Sequence, residues 1–478
     1  MWPAPRAHPH PQGAVTMRSV LMAAGYDAAG RGRRAAEWEP ADFGPNALAA
    51  GDLALVRRRS RGALRRNSIA DTAAEAFTDN LVGSGIRPQF KAPDEGFAAA
   101  LSDWWQDWAE CADADGVLDF YALQALVTRA WYEGGECFVR LRPRRLSDGL
   151  PAPVQIQVLE SEMVPLDQQD GGAAGHTVRH GIEFDAIGRR VAYHVYRHHP
   201  HEIDAHGAGG AGGDGWRTVR VPASEMLHIY LPRRPGEVRG EPRLTRALVK
   251  LRDLDDYDDA ELVRKKNAAM FVGVIRRALD GGAVPAVGAP IDESDAGGLG
   301  DETEERAIEP GTFTVLEDGQ DITFSKPEDV GGQYEVFMRT QLRLIAQAGG
   351  VLYEQLTGDY GQINDRTYRA ALNGLIRKVE RLQAHVLVAQ FCRPVWRRLW
   401  AARPLDLAVP AGLSDRQARA VAWRPHAFRY LHPVQEVDAA VKEIEAGLAS
   451  REQKIAERGG DIREVDAARR GDRARNEE

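Results

Sequence analysis

A glycine run resembles a phosphate-binding loop. Gly207, Gly209 and Gly212 match the G-x-G-x-x-G pattern, whose glycines let a backbone approach a pyrophosphate at the start of a helix. That geometry needs a preceding strand and a following helix. Here the run follows residues rich in His and Asp and precedes a predicted strand. We therefore predict a flexible loop and no nucleotide site. The sequence also lacks a Gly-Lys dipeptide, which excludes a Walker A loop.

Two further runs contain residue types that bind metals. The first is a group of histidines at positions 194, 198, 199, 201 and 206, whose spacing matches no zinc or nickel site. The second is residues 253–261, with six acids and no base. A calcium loop needs a glycine at its sharp turn, and this run has none. The acids therefore form either a solvent-facing helix side or a surface that repels or pairs with charge.

Catalytic patterns are missing from the sequence. It contains neither the G-x-S-x-G nucleophile motif nor the H-E-x-x-H metalloprotease motif. The three cysteines, Cys111, Cys137 and Cys392, lie too far apart for a zinc knuckle or a disulfide framework, as expected in a reducing cytoplasm. We predict that the protein is not an enzyme and needs no cofactor or metal.

Length and charge narrow the class of protein. The 478 residues suffice for about three domains of ~150 residues, and 43% of them are hydrophobic. The longest purely apolar run has eight residues, 268–275, whereas a membrane helix needs ~20, so we expect no membrane span and no secretion signal. A net charge of −8 argues against a protein that coats nucleic acid by charge alone. Basic residues concentrate before residue 66 and acidic residues at 253–261 and 292–309.

Apolar spacing predicts helices followed by strands in the first half of the chain. Residues 1–40 are rich in Ala, Gly, Pro and Arg, which indicates a disordered arm. Helical spacing covers 53–82, 97–108 and 120–131. Alternating apolar residues then predict one mainly antiparallel β region over 136–231. It includes a hairpin whose turn contains Asp185 and Gly188.

Helices predominate again in the second half. A helix is predicted from Pro242 to about Phe271, with Leu244, Leu248 and Leu251 on one side. Short strands are predicted at 312–316 and 321–324, followed by a helix at 333–348, a glycine-punctuated loop at 349–365 and a helix at 366–401. A helix over 434–448 comes next. Two short helices follow, each beginning at a capping box: Ser450 with Gln453, and Asp461 with Glu464.

Several motifs follow one another in a distinctive order. Near the start, Arg59-Ser-Arg61 and Leu64-Arg-Arg-Asn67 lead to Asn80-Leu-Val-Gly83-Ser-Gly85-Ile-Arg87-Pro88. Later motifs are Glu133-Gly-Gly-Glu136, His180-Gly-Ile-Glu-Phe-Asp185, Arg239-Gly-Glu-Pro242, the acidic run from Leu254 to Glu261, Leu356-Thr-Gly-Asp-Tyr360, Phe391-Cys-Arg-Pro394-Val-Trp396 and Gly459-Gly-Asp461-Ile-Arg-Glu464. These motifs and their order resemble the lambda family of tailed-phage portal proteins over roughly residues 20–470. One departure is Asn364-Asp-Arg-Thr-Tyr-Arg369, where family members usually have an Asn-Tyr-Ser-Ser-Ala-Arg-like run.

The resemblance implies an α+β portal fold with a wing, a two-helix stem, a small β clip and a helical crown. Its parts map onto a disordered arm (1–40), the wing (41–240), stem helix 1 (241–276), the clip (277–330), stem helix 2 (331–348), a tunnel loop (349–369), a returning wing segment with a long helix (370–432) and the crown (433–478).

The resemblance also implies function and partners. Portal proteins form a ring, typically of twelve subunits, at one capsid vertex, where double-stranded DNA is packaged and ejected without sequence recognition and where the tail attaches. The implied partners are the terminase large subunit, head–tail adaptor proteins and the major capsid or scaffold protein, with assembly in the host cytoplasm and residence in the virion. The alternative is a phage- or prophage-encoded nuclease or capsid protease, which would need a carboxylate cluster in a pocket or a Ser/His or Ser/Lys pair.

Three sets of residues are candidates for contacts in such a ring. In the tunnel loop they are Gly358, Asp359, Gly361, Asn364, Arg366 and Arg369, whose glycines allow movement and whose arginines could reach phosphates or simply be solvated. In the clip they are Asp301, Glu302, Glu304 and Glu305, expected to meet the terminase or an adaptor. On stem helix 1 they are Asp255, Asp258, Asp259 and Glu261, expected as an acidic strip opposite the leucines. The strip either faces DNA or, as we prefer, pairs with Arg264, Lys265 and Lys266 of a neighbouring subunit.

Overall fold

The computed structural model describes residues 42–202, 217–269, 272–277, 305–307, 320–324, 331–428 and 432–477. Within them the fold is α+β, as predicted, with long helices around antiparallel sheets. The predictions for the arm 1–40, for the glycine run at 207–212 and for a strand at 312–316 lie outside the described residues.

The first predicted helix is divided in two at Asn67. Helix α1 covers Pro45–Arg66 and α2 covers Ser68–Leu81. Asn67 has an extended backbone, and its side-chain oxygen accepts a hydrogen bond from the N–H of Ala70 at 3.0 Å, which caps α2. Helix α2 ends before Gly83 and Gly85, whose φ angles of +50° and +104° are costly for residues with a Cβ.

Two tryptophan-rich helices form the centre of the larger core. Helix α3 covers Glu95–Glu110 and α4 covers Phe120–Gly134, each capped by the aspartate that precedes it. Trp105 packs against Phe120, Trp108 and Trp396 at centroid distances of 5.0–6.0 Å. This cluster confirms that the aromatic spacing predicted from the sequence is that of core-facing helix sides.

The predicted β region forms two sheets. The first has the order β3-β2-β8 and the second the order β4-β5-β6-β7, with every pair antiparallel. Their strands are β2 Glu136–Pro143, β3 Val154–Leu159, β4 Thr177–Arg179, β5 Ile182–Phe184, β6 Arg190–Tyr196, β7 Thr218–Pro222 and β8 Met226–Tyr230. The hairpin at Asp185 and Gly188 is confirmed: Gly188 N–H donates to the Asp185 carbonyl at 2.9 Å. Alternation alone cannot assign strands to sheets, because it specifies faces and not partners.

A two-stranded sheet joins distant parts of the chain. Strand β1, Arg87–Phe90, pairs antiparallel with β12, Val421–Arg424. Phe90 lies 5.0 Å from Trp396 between ring centroids, so this sheet extends the tryptophan core. Apolar spacing in the sequence predicted neither strand.

The helix predicted from Pro242 to Phe271 is shorter than expected. Residues 243–247 form turns, helix α5 covers Leu248–Ala269, and strand β9, Val272–Arg277, follows it. The stem helix predicted to reach residue 276 is therefore wrong at both ends. Strand β9 lies between β10, Glu305–Ala307, and β11, Gln320–Phe324. Helix α6, Gly331–Gly349, confirms the helix predicted at 333–348.

The loop after α6 contains a short helix, and a long helix follows. Helix α7 covers Tyr353–Thr357 and α8 covers Asp365–Leu382, so the last five residues of the predicted tunnel loop are helical. Helix α8 continues through a π-helical segment, Gln383–Cys392, into α9, Arg393–Ala401. The predicted helix 366–401 is thus confirmed, but its change of winding was not predicted.

Small helices close the chain. Helix α10 covers Asp415–Ala418, α11 Pro433–Glu445, α12 Arg451–Glu457 and α13 Ile462–Glu477. The capping box of Ser450 with Gln453 is confirmed by hydrogen bonds in both directions. Among the described helices, none combines the length and apolarity that a bilayer-spanning segment requires.

Candidate functional site

Helices α5 and α6 pack together through apolar side chains, as predicted for the leucine side of α5. Leu244, Leu251 and Leu254 are buried in one core with Ile345 of α6, and Leu248 packs at its margin. Lys250 also donates a 2.8 Å hydrogen bond to the side-chain oxygen of Gln341 on α6. The pair is therefore fixed by both apolar and polar contacts.

The acidic strip of α5 does not lie opposite the leucines, and this expectation was wrong. Asp255 follows Leu251 by four residues and Asp258 follows Leu254 by four, so these acids continue the leucine side. Asp255 accepts a 2.8 Å hydrogen bond from the side-chain amide of Asn67, and Asp258 accepts one from the hydroxyl of Tyr334 on α6. These two carboxylates hold α5 to its neighbours within one chain.

Glu261 is also engaged within its own helix. Its carboxylate lies 2.7 Å from Arg264 and 3.9 Å from Lys265, and its side chain is 11% exposed. Two of the three cations expected to reach a neighbouring subunit thus already have an acidic partner. Asp259 is exposed and has no hydrogen bond or ion pair with the rest of the described chain. Of the predicted strip, Asp259 is the carboxylate left to face outward.

Aromatic side chains line the same end of the helix pair. The rings of Tyr257 and Tyr334 stack with centroids 6.0 Å apart, and Phe337 lies 5.0 Å from Tyr257. The ammonium of Lys265 lies 5.2 Å from the centre of the Tyr334 ring. The hydrogen bond to Asp258 raises the pKa of Tyr334 to about 12, so its hydroxyl remains a donor at neutral pH.

The glycine-punctuated loop is built around Asp359. Its carboxylate accepts hydrogen bonds from the N–H of Gly361 at 3.0 Å and from the hydroxyl of Tyr353 at 3.1 Å. The hydrogen bond from Gly361, together with the one from Tyr353, lowers the pKa of Asp359. Gly358 has a φ of +69° and ends α7 in the left-handed region. The loop therefore has a defined turn structure.

The two predicted arginines lie on the first two turns of α8. Asn364 caps that helix by accepting from the N–H of Thr367 at 2.9 Å. Arg369 lies 3.9 Å from Asp365, which also lies 3.0 Å from the ring of His432. Arg366 is exposed. The structure thus brings the six loop residues into one stretch of surface but leaves Arg366 as the less neutralised cation.

The clip residues fall largely outside the described chain. Asp301, Glu302 and Glu304 lie outside the described residues, whereas Glu305 begins strand β10 opposite Val274. The predicted partner contact of these four acids stays a prediction.

Sequence reasoning missed a buried network centred on Glu136. Its Oε1 lies 2.5 Å from the guanidinium of Arg57 and 2.6 Å from that of Arg239. Its Oε2 contacts His228 at 2.8 Å and accepts from the N–H of Gly240 at 2.9 Å. All four side chains are buried. The available signal was that Glu136 and Arg239 lie in two of the motifs shared with portal proteins.

Opposing effects set the charges in this network. Burial alone would raise the pKa of Glu136, but Arg239 and Arg57 hold it well below its usual range. Burial lowers the pKa of Arg57 to about 10, with Glu136 opposing the shift. Burial also lowers the pKa of His228 to about 4, again against the pull of Glu136. At neutral pH the network therefore contains one carboxylate, two guanidinium groups and a neutral imidazole.

One group in the described residues has the composition of a metal site. Glu160, Glu162 and His199 present ligand atoms within 4.8 Å of one another. Arg61 lies 2.5 Å from Glu162 and 3.3 Å from Glu160, so one guanidinium already pairs with both carboxylates and offsets part of their charge. A metal ion would have to displace that arginine. His199 is the one member of the predicted histidine group that joins these acids.

Known proteins resemble this chain over nearly its whole length. It is 24% identical to portal protein B of Escherichia phage lambda, over 94% of this chain and 89% of that protein. It is also 24% identical to the portal protein of Escherichia phage N15, over 95% of this chain and 90% of that protein. Among solved structures, the neck of a native gene transfer agent particle with C12 symmetry matches 84% of this chain and 94% of its own, with 16% identity and a TM-score of 0.48.

The family comparison decides the assignment. Residues 31–383 match the family described as phage portal protein, lambda family. That range covers well over half of the chain and includes α5, α6, the glycine-punctuated loop and the Glu136 network. The chain therefore belongs to the lambda family of phage portal proteins.

Proposed function

We propose that this chain is the subunit of a portal ring, the head–tail connector through which double-stranded DNA enters and leaves a phage capsid. The observation that supports this most strongly is the family match over residues 31–383. The curated relatives from phages lambda and N15 are matched over about nine tenths of their length, so the similarity is not confined to one domain. We further propose twelve subunits, a virion location and assembly in the host cytoplasm.

The surface of the helix pair supports ring formation. A closed ring needs two different complementary faces on each subunit. Large apolar side chains of the helix pair remain exposed in a single chain: Leu262 of α5 and Val336, Phe337 and Leu344 of α6. Burial of exposed apolar side chains lowers the free energy. We therefore expect a neighbouring subunit to pack against these positions.

The parts of the family architecture map onto the described elements as follows. We assign α1–α4 and the sheets β3-β2-β8 and β4-β5-β6-β7 to the wing, α5 and α6 to the stem, β9–β11 to the clip, and α11–α13 to the crown. In this arrangement the acids of the clip, Asp301, Glu302, Glu304 and Glu305, would contact the terminase large subunit or a head–tail adaptor. The wing would contact the major capsid or scaffold protein.

The outward carboxylates of α5 suit a passage for DNA. Asp259 and Asp256 are both exposed, and the latter lies 3.8 Å from Arg252 of the same helix. Like charge repels phosphate, so such side chains in the lumen would keep DNA from adhering. The pairing of Arg264 and Lys265 with Glu261 within one helix favours the lumen alternative over the intersubunit pairing that we preferred from the sequence. We therefore place Asp256 and Asp259 on the lumen side.

A nuclease or capsid protease is the weaker alternative, and the comparisons do not support it. The Glu160, Glu162 and His199 group is already paired with Arg61. The Glu136 carboxylate is buried between two arginines and does not line an open cavity. Neither arrangement offers a free acid or nucleophile to a substrate.

Electron microscopy of the purified chain tests the ring. Negative-stain images should show annular particles with a central hole, and mass photometry should give a single high-order oligomer. Val336→Asp, at a stem position that is 60% exposed, should yield monomers, because it places a charge in the proposed interface. Leu405→Asp, at a position that is 96% exposed and belongs to neither α5 nor α6, is the matched control and should leave rings intact. Monomers in the unmodified protein would refute the proposal.

A further inference from the structure

A pocket of about 560 Å³ lies where the β1–β12 sheet meets the C-terminal helices. Three arginines, Arg87, Arg424 and Arg458, line it together with His426. None of the described residues that line this pocket is acidic. Its charged lining residues are therefore all cationic, although Arg424 is paired with Asp461 and the chain as a whole has a net charge of −8.

Two of these arginines are held side by side by the strand register. Arg87 of β1 lies directly opposite Arg424 of β12, and opposite residues of an antiparallel pair project from the same face. Like charges in that position destabilise a sheet. The guanidinium of Arg87 lies over the Tyr121 ring at 4.5 Å, which gives it a partial electrostatic partner.

Arg424 retains an unused donor. Arg424 is 8% exposed, and its Nη2 donates a 2.7 Å hydrogen bond to the carboxylate of Asp461. Its Nε is buried and has no acceptor within the described residues. A buried donor without an acceptor is costly, so an anionic acceptor entering here would be stabilised by both charge and hydrogen bonding.

The glycines of the Asn80–Pro88 motif shape the pocket. A Cβ on Gly83 would lie 2.5 Å from the His426 ring, and one on Gly85 would lie 2.6 Å from the Tyr121 ring. Both glycines also have positive φ angles. Only glycine therefore allows the rings of His426 and Tyr121 to approach this turn. Neither channel formation nor ring formation explains why the turn needs these close contacts.

The pocket also has apolar lining residues: Pro425, Ala427, Phe428 and Pro433. A DNA backbone would match the cations but would offer little apolar surface to these four residues. A peptide whose carboxylates flank an apolar side chain would match both.

We propose that this pocket binds an acidic peptide segment of a partner protein, with carboxylates against Arg87, Arg424 and Arg458 and an apolar side chain against Phe428. The proposal goes beyond DNA passage and does not depend on the number of subunits. It gives the Asn80–Pro88 motif a role in binding a partner protein.

Fluorescence anisotropy with the purified full-length protein tests the pocket. The probe is a fluorescein-labelled peptide Glu-Asp-Leu-Phe-Glu, compared with its amide counterpart Gln-Asn-Leu-Phe-Gln and with a short labelled DNA duplex. Arg87→Gln and Arg458→Gln should each weaken binding of the acidic peptide about tenfold, since each removes a charge-assisted hydrogen bond. Phe428→Ala should weaken binding of both peptides. Arg189→Gln, at an exposed arginine of the β5–β6 hairpin, is the matched control and should have no effect.

Three outcomes would overturn the proposal. One is equal binding of the acidic and amide peptides, which would show that charge is not recognised. Another is DNA binding that falls with Arg87→Gln and Arg458→Gln while peptide binding is absent. The third is a protein that binds no peptide but whose rings dissociate at lower salt when Arg87 is replaced, which would show that a neighbouring copy fills the pocket. Circular dichroism of each variant separates these outcomes from misfolding.

Discussion

The guanidinium of Arg57 and the carboxylate of Glu136 meet at 2.5 Å in the protein interior, although 79 residues separate them. Arg57 also donates to the carbonyl oxygens of Gly134 at 2.9 Å and Gly240 at 3.2 Å. One side chain of α1 therefore connects the end of α4, the start of β2 and the segment that leads to α5.

Glu136→Gln should strongly destabilise the protein, because it leaves two buried guanidinium groups without a counter-charge. Loss of one member of a buried ion pair costs about 3–5 kcal/mol, and urea unfolding measures the change. Asp472→Asn, which removes the exposed pair with Arg475 at 2.8 Å, should cost less than about 1 kcal/mol. Equal losses in the two variants would show that the Glu136 network contributes nothing special.

Acid should weaken the fold partly through His228. Its pKa is about 4 in the folded protein and ~6.5 when unfolded, so the unfolded chain binds more protons between these values. Stability should therefore fall as pH decreases from about 6.5 toward 4, by up to about 1.4 kcal/mol per pH unit. Glu136, whose folded pKa is also depressed, adds a loss of the same sign at lower pH, whereas the raised pKa of the neighbouring Arg190 keeps that residue charged.

Urea unfolding at pH values between about 7 and 5 measures that slope. His228→Gln keeps a donor for Glu136 but cannot titrate, so its stability should depend less on pH over this range. Parallel curves for the two proteins would contradict the assignment to His228.

Gly135→Ala should prevent correct folding. Gly135 has a φ of +83°, and a Cβ there would lie 2.2 Å from the carbonyl carbon of Glu241. Gly149 has a φ of +69° with open space around it, so Gly149→Ala introduces the same kind of backbone strain without a collision. We expect Gly149→Ala to cost about 1–2 kcal/mol and Gly135→Ala to give insoluble protein, judged by soluble yield and thermal melting. Similar behaviour of both variants would refute the close backbone contact.

Replacing Asp256 and Asp259 together by Asn should make rings adhere to DNA. The change removes two outward carboxylates from each α5, so repulsion of phosphate decreases and DNA co-sedimentation should increase at low salt. The control is Asp103→Asn with Asp107→Asn, two exposed acids of the wing helix α3. Rings that dissociate at lower salt in the first variant, with unchanged DNA binding, would instead place these acids in a subunit interface.

Arg366→Ala should lower the amount of DNA retained in assembled heads more than Arg369→Ala does. Arg366 is exposed, whereas Arg369 lies 3.9 Å from Asp365 and has less charge to offer to phosphate. DNase-protected DNA per particle provides the measurement. If both variants retain DNA as the unmodified protein does, these arginines are ordinary solvated side chains.

Local signals in the sequence predicted the elements well. The periodicity of α4 and its capping residue Asp119 were both identified, because amphipathic spacing and a cap report on neighbouring residues alone. The β5–β6 hairpin was identified for the same reason. Sheet β1–β12 was not, since the four residues of Arg87–Phe90 contain little alternation and their partner lies far along the chain.

The candidate site was predicted less well than the fold. Its stem acids were placed on the wrong side of α5, although Asp255 and Asp258 lie four residues after Leu251 and Leu254. These acids form hydrogen bonds with Asn67 and Tyr334. The sequence does not indicate such contacts, because they depend on tertiary packing. The Glu136 network escaped notice because a charged residue is almost always exposed unless it is paired, and sequence does not display the pairing.

The pairing of β1 with β12 also sets the timing of folding during synthesis. Phe90 leaves the ribosome long before Trp396 and the strand Val421–Arg424 exist. At a translation rate of about 5–20 residues per second, the wait for that strand is roughly 20–70 s. During that interval the tryptophans of α3 lack some of the side chains that bury them. Nascent subunits should therefore depend on chaperones to avoid aggregation. A subunit therefore becomes competent for assembly only when nearly all of its chain has been translated.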